Sequence, residues 1–422
     1  MMGTTKLYQQ DVYLKEWDAE ITAITDKGVY LDKTAFFPEG GGQSCDRGIM
    51  AVPGDRGLSV EVLDVQEDGE DIVHAVSSPG ELAVGGRVHC SLDWDRRFDN
   101  MQRHCGEHIL SGIFYRECGG VNRGFHMGED YMTIDISFEE QPSDPDMPVP
   151  EELDWKLAKR CELLANRVIW SDVPVTVFRF DEREEAQKLP LRKALAVDED
   201  ISIVCVGSPE NAADCVACCG THPSTAGQVG LIKLYKVEKY KGMFRVYCEA
   251  GARALADYGM KHDLLTELSN ERSCSIEDFP AKVRGTESRL AEVKAQLAGL
   301  KKTILSGECR KLNAVLRPES ESAGNPLILH TLNDMSIDDA FNMAKEYMGN
   351  PICGGRLIML YAPDSTSYIL VSDGTPACGP LVKEYAGFYN GKGGGNDVSA
   401  RAMFTTEEDA SLFADLLSKH LK

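Results

Sequence analysis

Two histidines four residues apart lie in the stretch "MQRHCGEHIL" at 101–110 and are the first candidates for chemistry. Four residues are about one turn of an α-helix, so His104 and His108 would share a helix face, with Glu107 beside them. Histidine nitrogens are common zinc ligands, although such a pair alone is also found among ordinary core or surface residues. The stretch therefore predicts one half of a metal site.

The second half lies in "DCVACCGTHPSTAGQVG" at 214–230. Cys218 and His222 are again four residues apart, and Gly220 allows a tight bend between them. Three histidine nitrogens and one thiolate suit tetrahedral zinc. We predict a Zn²⁺ site with four ligands, His104, His108, Cys218 and His222. A full shell of four protein ligands favours a metal that positions substrate over one that generates hydroxide.

Two other kinds of chemistry fit parts of these stretches. Cys215 and Cys218 form a C-x-x-C, which is typical of redox or cysteine-rich structural sites, but no further thiolate pair lies nearby at matching spacing. "HCGEH" also fits the H-x-x-E-H pattern of one class of zinc peptidases, in which the glutamate activates water. The peptidase interpretation leaves the Cys218 and His222 pair without a role.

A glycine run lies in "KTAFFPEGGGQSCDRG" at 33–48. Three consecutive glycines weaken a strand, so they predict close approach of the backbone to a ligand or to another chain segment. A plain glycine-rich turn is the alternative, but it does not explain the flanking polar residues Thr34 and Gln43. Asp46 is predicted to be a turn residue that closes the motif.

These three motifs, in this order and spacing, resemble the editing domain of alanyl-tRNA synthetase and the free-standing AlaX family. "NGKGGGNDVSARA", after a helical segment, resembles the C-terminal domain of the synthetases and of the long AlaX proteins. The resemblance implies a trans-editing aminoacyl-tRNA deacylase that hydrolyses Ser-tRNA(Ala), Gly-tRNA(Ala) or both. It also implies that Thr34 contacts the substrate side chain and that Gln43 orients the aminoacyl ester or its water. Because the editing motif begins near residue 34, we expect no charging of tRNA.

The chain departs from the family pattern at a few positions. Cys105, Gly106 and Glu107 stand where the synthetases have small polar residues, and Cys219 replaces a glycine. Glu107 is a candidate general base, with a ligand-supporting or solvent-facing side chain as the alternatives. Asn396-Asp397 replaces the family's Arg-Pro after the C-terminal glycines, which weakens the prediction of a tRNA contact there.

The sequence patterns around these residues predict an α+β fold in four parts. Alternating apolar residues and turns at Asp26–Gly28 and Asp68–Gly69 predict a small β-barrel-like subdomain at 1–90. A zinc-containing α+β editing core follows at 91–250, with a helix from Asp93 and an acidic, proline-rich loop at 139–150. A helical hairpin at 251–318 carries a short heptad seam, and 319–422 forms a C-terminal α/β glycine-rich domain.

Composition limits the partners. The chain has 422 residues and a formal net charge of −22, which argues against indiscriminate nucleic-acid binding. Local cations remain candidates for tRNA contact, and we predict this role for Lys239, Lys241, Arg245, Lys392 and Arg401. No apolar run long enough to span a membrane and no signal peptide is visible, and the 14 scattered cysteines predict reduced thiols in the cytoplasm.

Three function hypotheses follow. The first is the zinc deacylase, the second is the zinc peptidase, and the third is a non-catalytic tRNA-binding relative. A homodimer through the helical hairpin or the C-terminal domain is compatible with all three. Thr34, Gln43 and the second metal pair favour the deacylase.

Overall fold

The computed structural model describes residues 3–54, 58–138, 149–321 and 324–422. The chain divides into two compact units, Met1–Leu268 and Ser269–Lys422. Helices and strands are mixed in both units, which confirms the predicted α+β class. The four-part division of the chain stays a prediction, and the predicted loop at 139–150 lies largely outside the described residues.

The N-terminal part of the first unit is a closed six-stranded barrel, as the alternating pattern predicts. Its region contains strands β1 (Thr5–Lys6), β2 (Glu16–Ile24), β3 (Val29–Leu31), β4 (Lys33–Thr34), β5 (Gly48–Ala51), β6 (Ser59–Asp68), β7 (Asp71–Val76) and β8 (Arg87–Leu92). The barrel order is β2-β3-β7-β6-β5-β8, and β1 pairs with β4 beside it. In β2, Trp17, Ala19 and Ile21 are buried while the residues between them are exposed, so one face of the strand fills the barrel.

A long buried helix, α1 (Trp94–Cys118), follows the barrel and carries the histidine pair. Asp93 caps its first turn by accepting a hydrogen bond from the Arg96 N–H, and Gly119 ends it with a left-handed φ of 64°. A Cβ on Gly112 would lie 2.1 Å from the Ala213 carbonyl oxygen. Glycine at this position therefore lets the helix approach the strand that leads to the second metal pair.

The rest of the first unit packs around α1 in two further sheets. Its elements are β9 (Gly120–Met127), β10 (Met132–Phe138), α2 (Trp155–Trp170), β11 (Val175–Phe180), α3 (Arg183–Ala186), β12 (Ile201–Val206), β13 (Asp214–Ala217), β14 (Ile232–Tyr240), β15 (Met243–Ala250) and α4 (Gly251–Glu271). One sheet has the order β14-β15-β10-β9 and the other β11-β12-β13. Apolar residues of α1, α2 and the four-stranded sheet form one continuous core.

The prediction that the cysteines are reduced thiols is wrong for one pair. Cys205 on β12 and Cys215 on β13 form a disulfide, because the antiparallel register places the two residues directly opposite each other. Cys215 is thus bonded to Cys205 rather than acting with Cys218 as a C-x-x-C pair. The other twelve cysteines lie in described parts of the chain and are free thiols.

The second unit combines a long helix with a five-stranded sheet. Its elements are α5 (Phe279–Leu316), β16 (Leu327–Thr331), α6 (Ile337–Ala344), β17 (Leu357–Ala362), β18 (Ser367–Val371), α7 (Cys378–Tyr385), β19 (Lys392–Gly395), β20 (Ser399–Met403) and α8 (Glu407–His420). The sheet order is β16-β17-β18-β20-β19, so the C-terminal glycine run forms an edge strand. Within the described residues, no helix is both long enough and apolar enough to cross a membrane.

The predicted heptad seam lies on α5, and its residues remain exposed. Leu290, Val293, Leu297, Leu300 and Ile304 are each about half exposed or more. Apolar residues of α4 such as Leu255 and Leu264 are exposed as well. The pairing of the two helices in a hairpin, and a dimer formed through them, stay predictions.

A buried ion pair joins the glycine-motif loop to α1. The carboxylate of Asp46 accepts hydrogen bonds from the Arg97 guanidinium and from the Phe37 N–H, and both Asp46 and Arg97 are fully buried. Arg97 also donates to the carbonyl oxygens of Val12 and Ala35. Asp46 therefore fixes the motif against the helix. It lies after the turn at 41–42 rather than within it, so the prediction of a turn residue is wrong at this position.

Replacing Asp46 by alanine is expected to lower the free energy of unfolding of the first unit by about 3–5 kcal/mol, because the buried Arg97 loses its counter-charge. The matched control is Asp68→Ala, which removes an ion pair between Asp68 and Lys27 at the surface and is expected to cost about 1 kcal/mol or less. All four tryptophans of the chain lie in the first unit, so urea unfolding followed by tryptophan fluorescence reports on that unit alone. Equal losses in the two variants would contradict a structural role of the buried pair.

Candidate metal centre

The two predicted metal pairs come together in the first unit. His104 and His108 lie one turn apart on α1, and Cys218 and His222 lie in the loop that follows β13. One nitrogen or sulfur atom from each of the four residues lies within 4.8 Å of all the others. The three histidines are buried and Cys218 is partly buried. The predicted four-ligand set is thus assembled from segments more than a hundred residues apart.

The spacing of the donor atoms fits zinc. Cys218 Sγ lies 3.4 Å from His104 Nε2 and 3.7 Å from His222 Nε2. Tetrahedral zinc, with bonds of about 2.3 Å to sulfur and about 2.05 Å to nitrogen, sets such atoms about 3.6 Å apart. His108 Nε2 is buried and has no hydrogen-bond partner in the described structure, as expected for a nitrogen that awaits a metal.

Gln43 fixes the orientation of His104. Its side-chain oxygen accepts the N–H of Thr221 at 3.0 Å, and its NH₂ group donates to the Thr221 hydroxyl at 2.8 Å. His104 Nδ1 lies 2.8 Å from the same Gln43 oxygen and must therefore donate to it. The proton on Nδ1 leaves the lone pair of His104 Nε2 free for a metal. The predicted contact of Gln43 with the aminoacyl ester or its water stays a prediction.

Asp214 fixes the orientation of His108. His108 Nδ1 lies 2.9 Å from Asp214 Oδ2, so it donates to the carboxylate and leaves Nε2 for the metal. The fully buried Asp214 also accepts a hydrogen bond of 2.6 Å from Arg192. Burial alone would raise the pKa of the Asp214 carboxyl, but Arg192 and His108 outweigh it and hold that pKa below its usual value. Asp214 is therefore an anion that orients a metal ligand.

Gly220 lets the second loop close on the first. A Cβ at this position would lie 2.3 Å from Cε1 of His104 and 2.8 Å from the Gln43 side-chain oxygen. Any larger residue would push His104 out of the donor set. The glycine that the sequence suggested for a tight bend is thus required by the packing of the site.

The histidines also prepare the thiol of Cys218 as a ligand. Burial by itself would raise the pKa of this thiol, but His104, His222 and His108 lower it well below its ordinary value. Burial lowers the pKa of His222 to about 4, with Cys218 opposing the shift. A thiolate beside a neutral imidazole is the protonation state in which these residues bind zinc.

A cavity of about 520 Å³ opens beside the four donors. His104, His108, Cys218 and Glu107 all line it. A cavity of this size accommodates a drug-sized ligand or a nucleoside ester. The metal centre is therefore reachable by a substrate.

Glu107 lies on the cavity wall in a defined orientation. Its Oε1 accepts hydrogen bonds of 2.6 Å from both the Ser111 hydroxyl and the Asn122 NH₂ group. Its Oε2 has no hydrogen-bond partner among the described residues. Glu107 is thus neither a solvent-facing residue nor a partner of the ligand nitrogens, but a cavity carboxylate with one oxygen held and the other available.

Thr34 lies apart from these residues, at the end of β4. Its side chain is fully buried, and it is not among the described residues that line the cavity. Burial lowers the pKa of His74 to about 4, so His74 is neutral; its Nδ1 donates to the Val29 carbonyl and its Nε2 accepts the Thr34 hydroxyl proton at 3.0 Å. The Thr34 oxygen also accepts the Phe36 N–H at 3.2 Å. Its contact with the substrate side chain stays a prediction.

The cations predicted for tRNA contact divide between the two units. Lys239 pairs with Glu152 at 2.9 Å, and Arg245 forms two bonds of 2.7 Å with Asp135. Lys241 lies over the ring of Tyr240. The remaining two, Lys392 on β19 and Arg401 on β20, are exposed in the second unit. Acidic partners already neutralise part of this charge, and the tRNA role of all five residues stays a prediction.

Sequence reasoning missed the residues that support the site. Asp214 and Asn122 have no motif of their own, and their roles appear only when α1, β9 and β13 are brought together. One signal was present: a metal-bound histidine usually donates its second nitrogen to a carboxylate, and Asp214 lies four residues before Cys218.

The sequence of the chain is similar to those of known proteins. A family described as tRNA synthetases class II (A) matches residues 5–96. The chain is 29% identical to the alanyl-tRNA editing protein AlaX-L of Pyrococcus horikoshii over 99% of both proteins. The chain resembles the AlaX family along its whole length. The resemblance predicted from the motifs is confirmed.

Alanine–tRNA ligases are similar over part of their length. The chain is 29% identical to the ligase of Pyrococcus abyssi over 93% of the chain but 41% of the ligase. It is 31% identical to the ligase of Methanothrix thermoacetophila over 77% of the chain and 35% of the ligase. The chain thus spans less than half of these ligases, and their activity is not inferred from the similarity.

Purified protein is expected to carry one zinc ion per chain, and Cys218→Ala is expected to lower the zinc affinity more than about a hundredfold, beyond the 10–100-fold loss typical of supporting residues. The matched control is Cys219→Ala, which removes the neighbouring exposed thiol and should leave the zinc content unchanged. Elemental analysis and competition with a chelating dye measure the content and the affinity. Unchanged zinc binding in Cys218→Ala would show that these four residues are not the ligand set.

Proposed function

We propose that this chain is a trans-acting editing deacylase, which hydrolyses the ester bond of tRNA(Ala) carrying serine or glycine. The observation that carries the proposal is a cluster of four zinc donors, three of which line one cavity together with the carboxylate of Glu107. The chain is also similar over 99% of its length to a protein named as an alanyl-tRNA editing protein. A cytoplasmic location follows from the proposed substrate and stays a prediction.

The need for such an enzyme follows from a limit on recognition. A pocket shaped for alanine rejects glycine by only about 1–3 kcal/mol, because the two differ by one methyl group. Serine, which adds a hydroxyl, is also difficult to exclude by size. A second site that destroys wrong products overcomes this limit, and it can select serine by a hydrogen bond that alanine leaves unmade.

Within the cavity, the residues of this chain divide the work of ester hydrolysis. We assign Glu107 to hold the attacking water through Oε2 and to accept its proton as the water oxygen bonds to the ester carbonyl carbon. The bond between that carbon and the ribose oxygen then breaks, and the leaving ribose oxygen takes the proton that Glu107 accepted from the water, which returns Glu107 to its carboxylate form. Ser111 and Asn122 fix Glu107 through Oε1, so Oε2 is held toward the cavity.

Neighbouring side chains orient the metal ligands for binding zinc. Gln43 and Asp214 hold His104 and His108 in the tautomers that leave Nε2 for zinc. When bound, zinc would supply a Lewis acid that fixes and polarises the aminoacyl group. The donor set comes from this chain alone, so the centre is complete in one chain.

The peptidase alternative assigns two histidines and Glu107 to catalysis and leaves Cys218 and His222 outside the site. The close approach of Cys218 Sγ to His104 Nε2, at 3.4 Å, favours a common four-ligand centre instead. A non-catalytic tRNA-binding relative would not require the carboxylate of Glu107 to be held in a fixed orientation on the cavity wall. Assays of deacylation, tRNA binding and peptide cleavage distinguish these two alternatives from the deacylase.

The purified protein is expected to hydrolyse Ser-tRNA(Ala) or Gly-tRNA(Ala) at least about tenfold faster, in kcat/KM, than Ala-tRNA(Ala). Release of labelled amino acid measures the three rates, with zinc-deficient Cys218→Ala as the inactive control. Equal rates on all three substrates would refute proofreading. Binding of tRNA without hydrolysis would support the non-catalytic relative, and cleavage of unstructured peptides would support the peptidase.

Glu107→Gln is expected to lower kcat for deacylation about 10²–10⁴-fold with little change in KM or zinc content, because the amide keeps its size but cannot accept the proton of water. The matched control is Glu117→Gln on the same helix, where the carboxylate forms an ion pair with Arg160. Single-turnover rates and elemental analysis separate chemistry from metal loss. A Glu107→Gln enzyme with parental kcat would remove Glu107 from the mechanism.

A further inference from the structure

Lys193 is a half-buried cation on the wall of the cavity beside the metal centre. No described carboxylate lies within ion-pair distance of its ammonium group. Burial, together with the neighbouring Arg192, lowers the pKa of Lys193. Keeping a lysine there costs stability, which a purely structural role would avoid by pairing or exposing it.

The residue before Lys193, Arg192, is anchored by its backbone and by its side chain. The Arg192 N–H donates to the Cys215 carbonyl at 2.8 Å, and the Arg192 side chain bonds to the buried Asp214. Asp214 also holds His108 of the metal centre. The backbone next to Lys193 is therefore linked to the metal donors by a short chain of buried hydrogen bonds.

The wall of the cavity carries charges of both signs. Glu107, Glu199 and Asp200 contribute carboxylates, and Lys193 contributes a cation that forms no ion pair with a described carboxylate. The proposed substrate has a matching pattern, because its aminoacyl group bears an ammonium and its terminal adenosine bears a phosphodiester on the same ribose as the ester. A lysine is a point charge suited to such a phosphate.

We propose that Lys193 binds the phosphodiester attached to the 5′ oxygen of the terminal adenosine and so places the aminoacyl ester at the metal centre. This inference rests on the proposed function, since it names the part of the aminoacyl-tRNA that the cavity holds. Lys193 is a binding and positioning residue: it touches the substrate at the phosphate and takes no part in breaking the ester bond.

The test compares two small substrates that differ only in the phosphodiester: the seryl ester of cytidylyl-adenosine and the seryl ester of adenosine. The parent enzyme is expected to prefer the first in kcat/KM, and Lys193→Met is expected to reduce this preference about tenfold or more through KM, the usual scale for a hydrogen bond to a charged group. Lys193→Arg is expected to retain most of the preference. Lys188→Met, which removes an exposed lysine five residues earlier, is the matched control and is expected to change nothing.

A binding measurement makes the result independent of catalysis. Zinc-loaded parent protein is expected to bind 5′-AMP more tightly than adenosine in calorimetry, and Lys193→Met is expected to lose this difference. If the parent hydrolyses the esters but Lys193→Met keeps the full phosphate preference, this inference is overturned and the proposed function stands. If the parent hydrolyses neither Ser-tRNA(Ala) nor Gly-tRNA(Ala) while the AMP preference depends on Lys193, the phosphate site stands and the deacylase function is overturned.

Discussion

A single buried carboxylate, that of Asp214, holds the two sides of the cavity in one geometry. It accepts a hydrogen bond from His108 on α1 and another from Arg192 in the loop before β12. A buried charge of this kind is stable only when its partners are in place, so the carboxylate couples the orientation of a metal ligand to the position of the cavity wall. Gln43 performs the corresponding task for His104, but it joins neutral groups and tolerates displacement at lower cost. The most constrained point of the site is thus a residue that contacts neither metal nor substrate.

The acidic character of the chain bears on how it would recognise the proposed tRNA substrate. With a net charge of −22, the protein has little long-range attraction for a phosphate backbone. Arg245 and Lys239 face acidic partners on their own surface, which reduces their value as general phosphate contacts. Recognition of phosphate then depends on a few local cations. A lysine inside the cavity attracts a phosphate more strongly than a lysine on the surface, because burial weakens screening by solvent and salt. Selection by the chemistry of the aminoacyl end fits such a protein better than capture of any RNA.

The sequence predicted the parts of the site whose spacing is fixed by local geometry. His104 and His108 are one helical turn apart in any α-helix, and Cys218 and His222 flank a glycine, so both pairs were visible without a structure. The barrel could be predicted as well, because the alternation of apolar and polar residues in strands such as β2 can be read directly from the sequence. Asp214, Asn122 and Lys193 were not visible, since their roles depend on contacts between segments that no local period records. The Cys205–Cys215 bond was missed for the same reason, because only the strand register places the two residues opposite each other.

The departures from the family pattern affect the cavity more than the metal. Cys105 is fully buried in the core, and Gly106 packs so closely that a Cβ there would lie 2.6 Å from the Ala250 side chain. Both residues therefore serve the packing of α1. Glu107 and Cys219 instead line the cavity. The four donors and their supporting hydrogen bonds are complete, so these two departures lie on the surface that would meet the substrate rather than in the donor set. It follows that the choice of amino acid, rather than the ability to cleave an ester, is the property in which this chain is expected to differ most from the editing domains that it resembles.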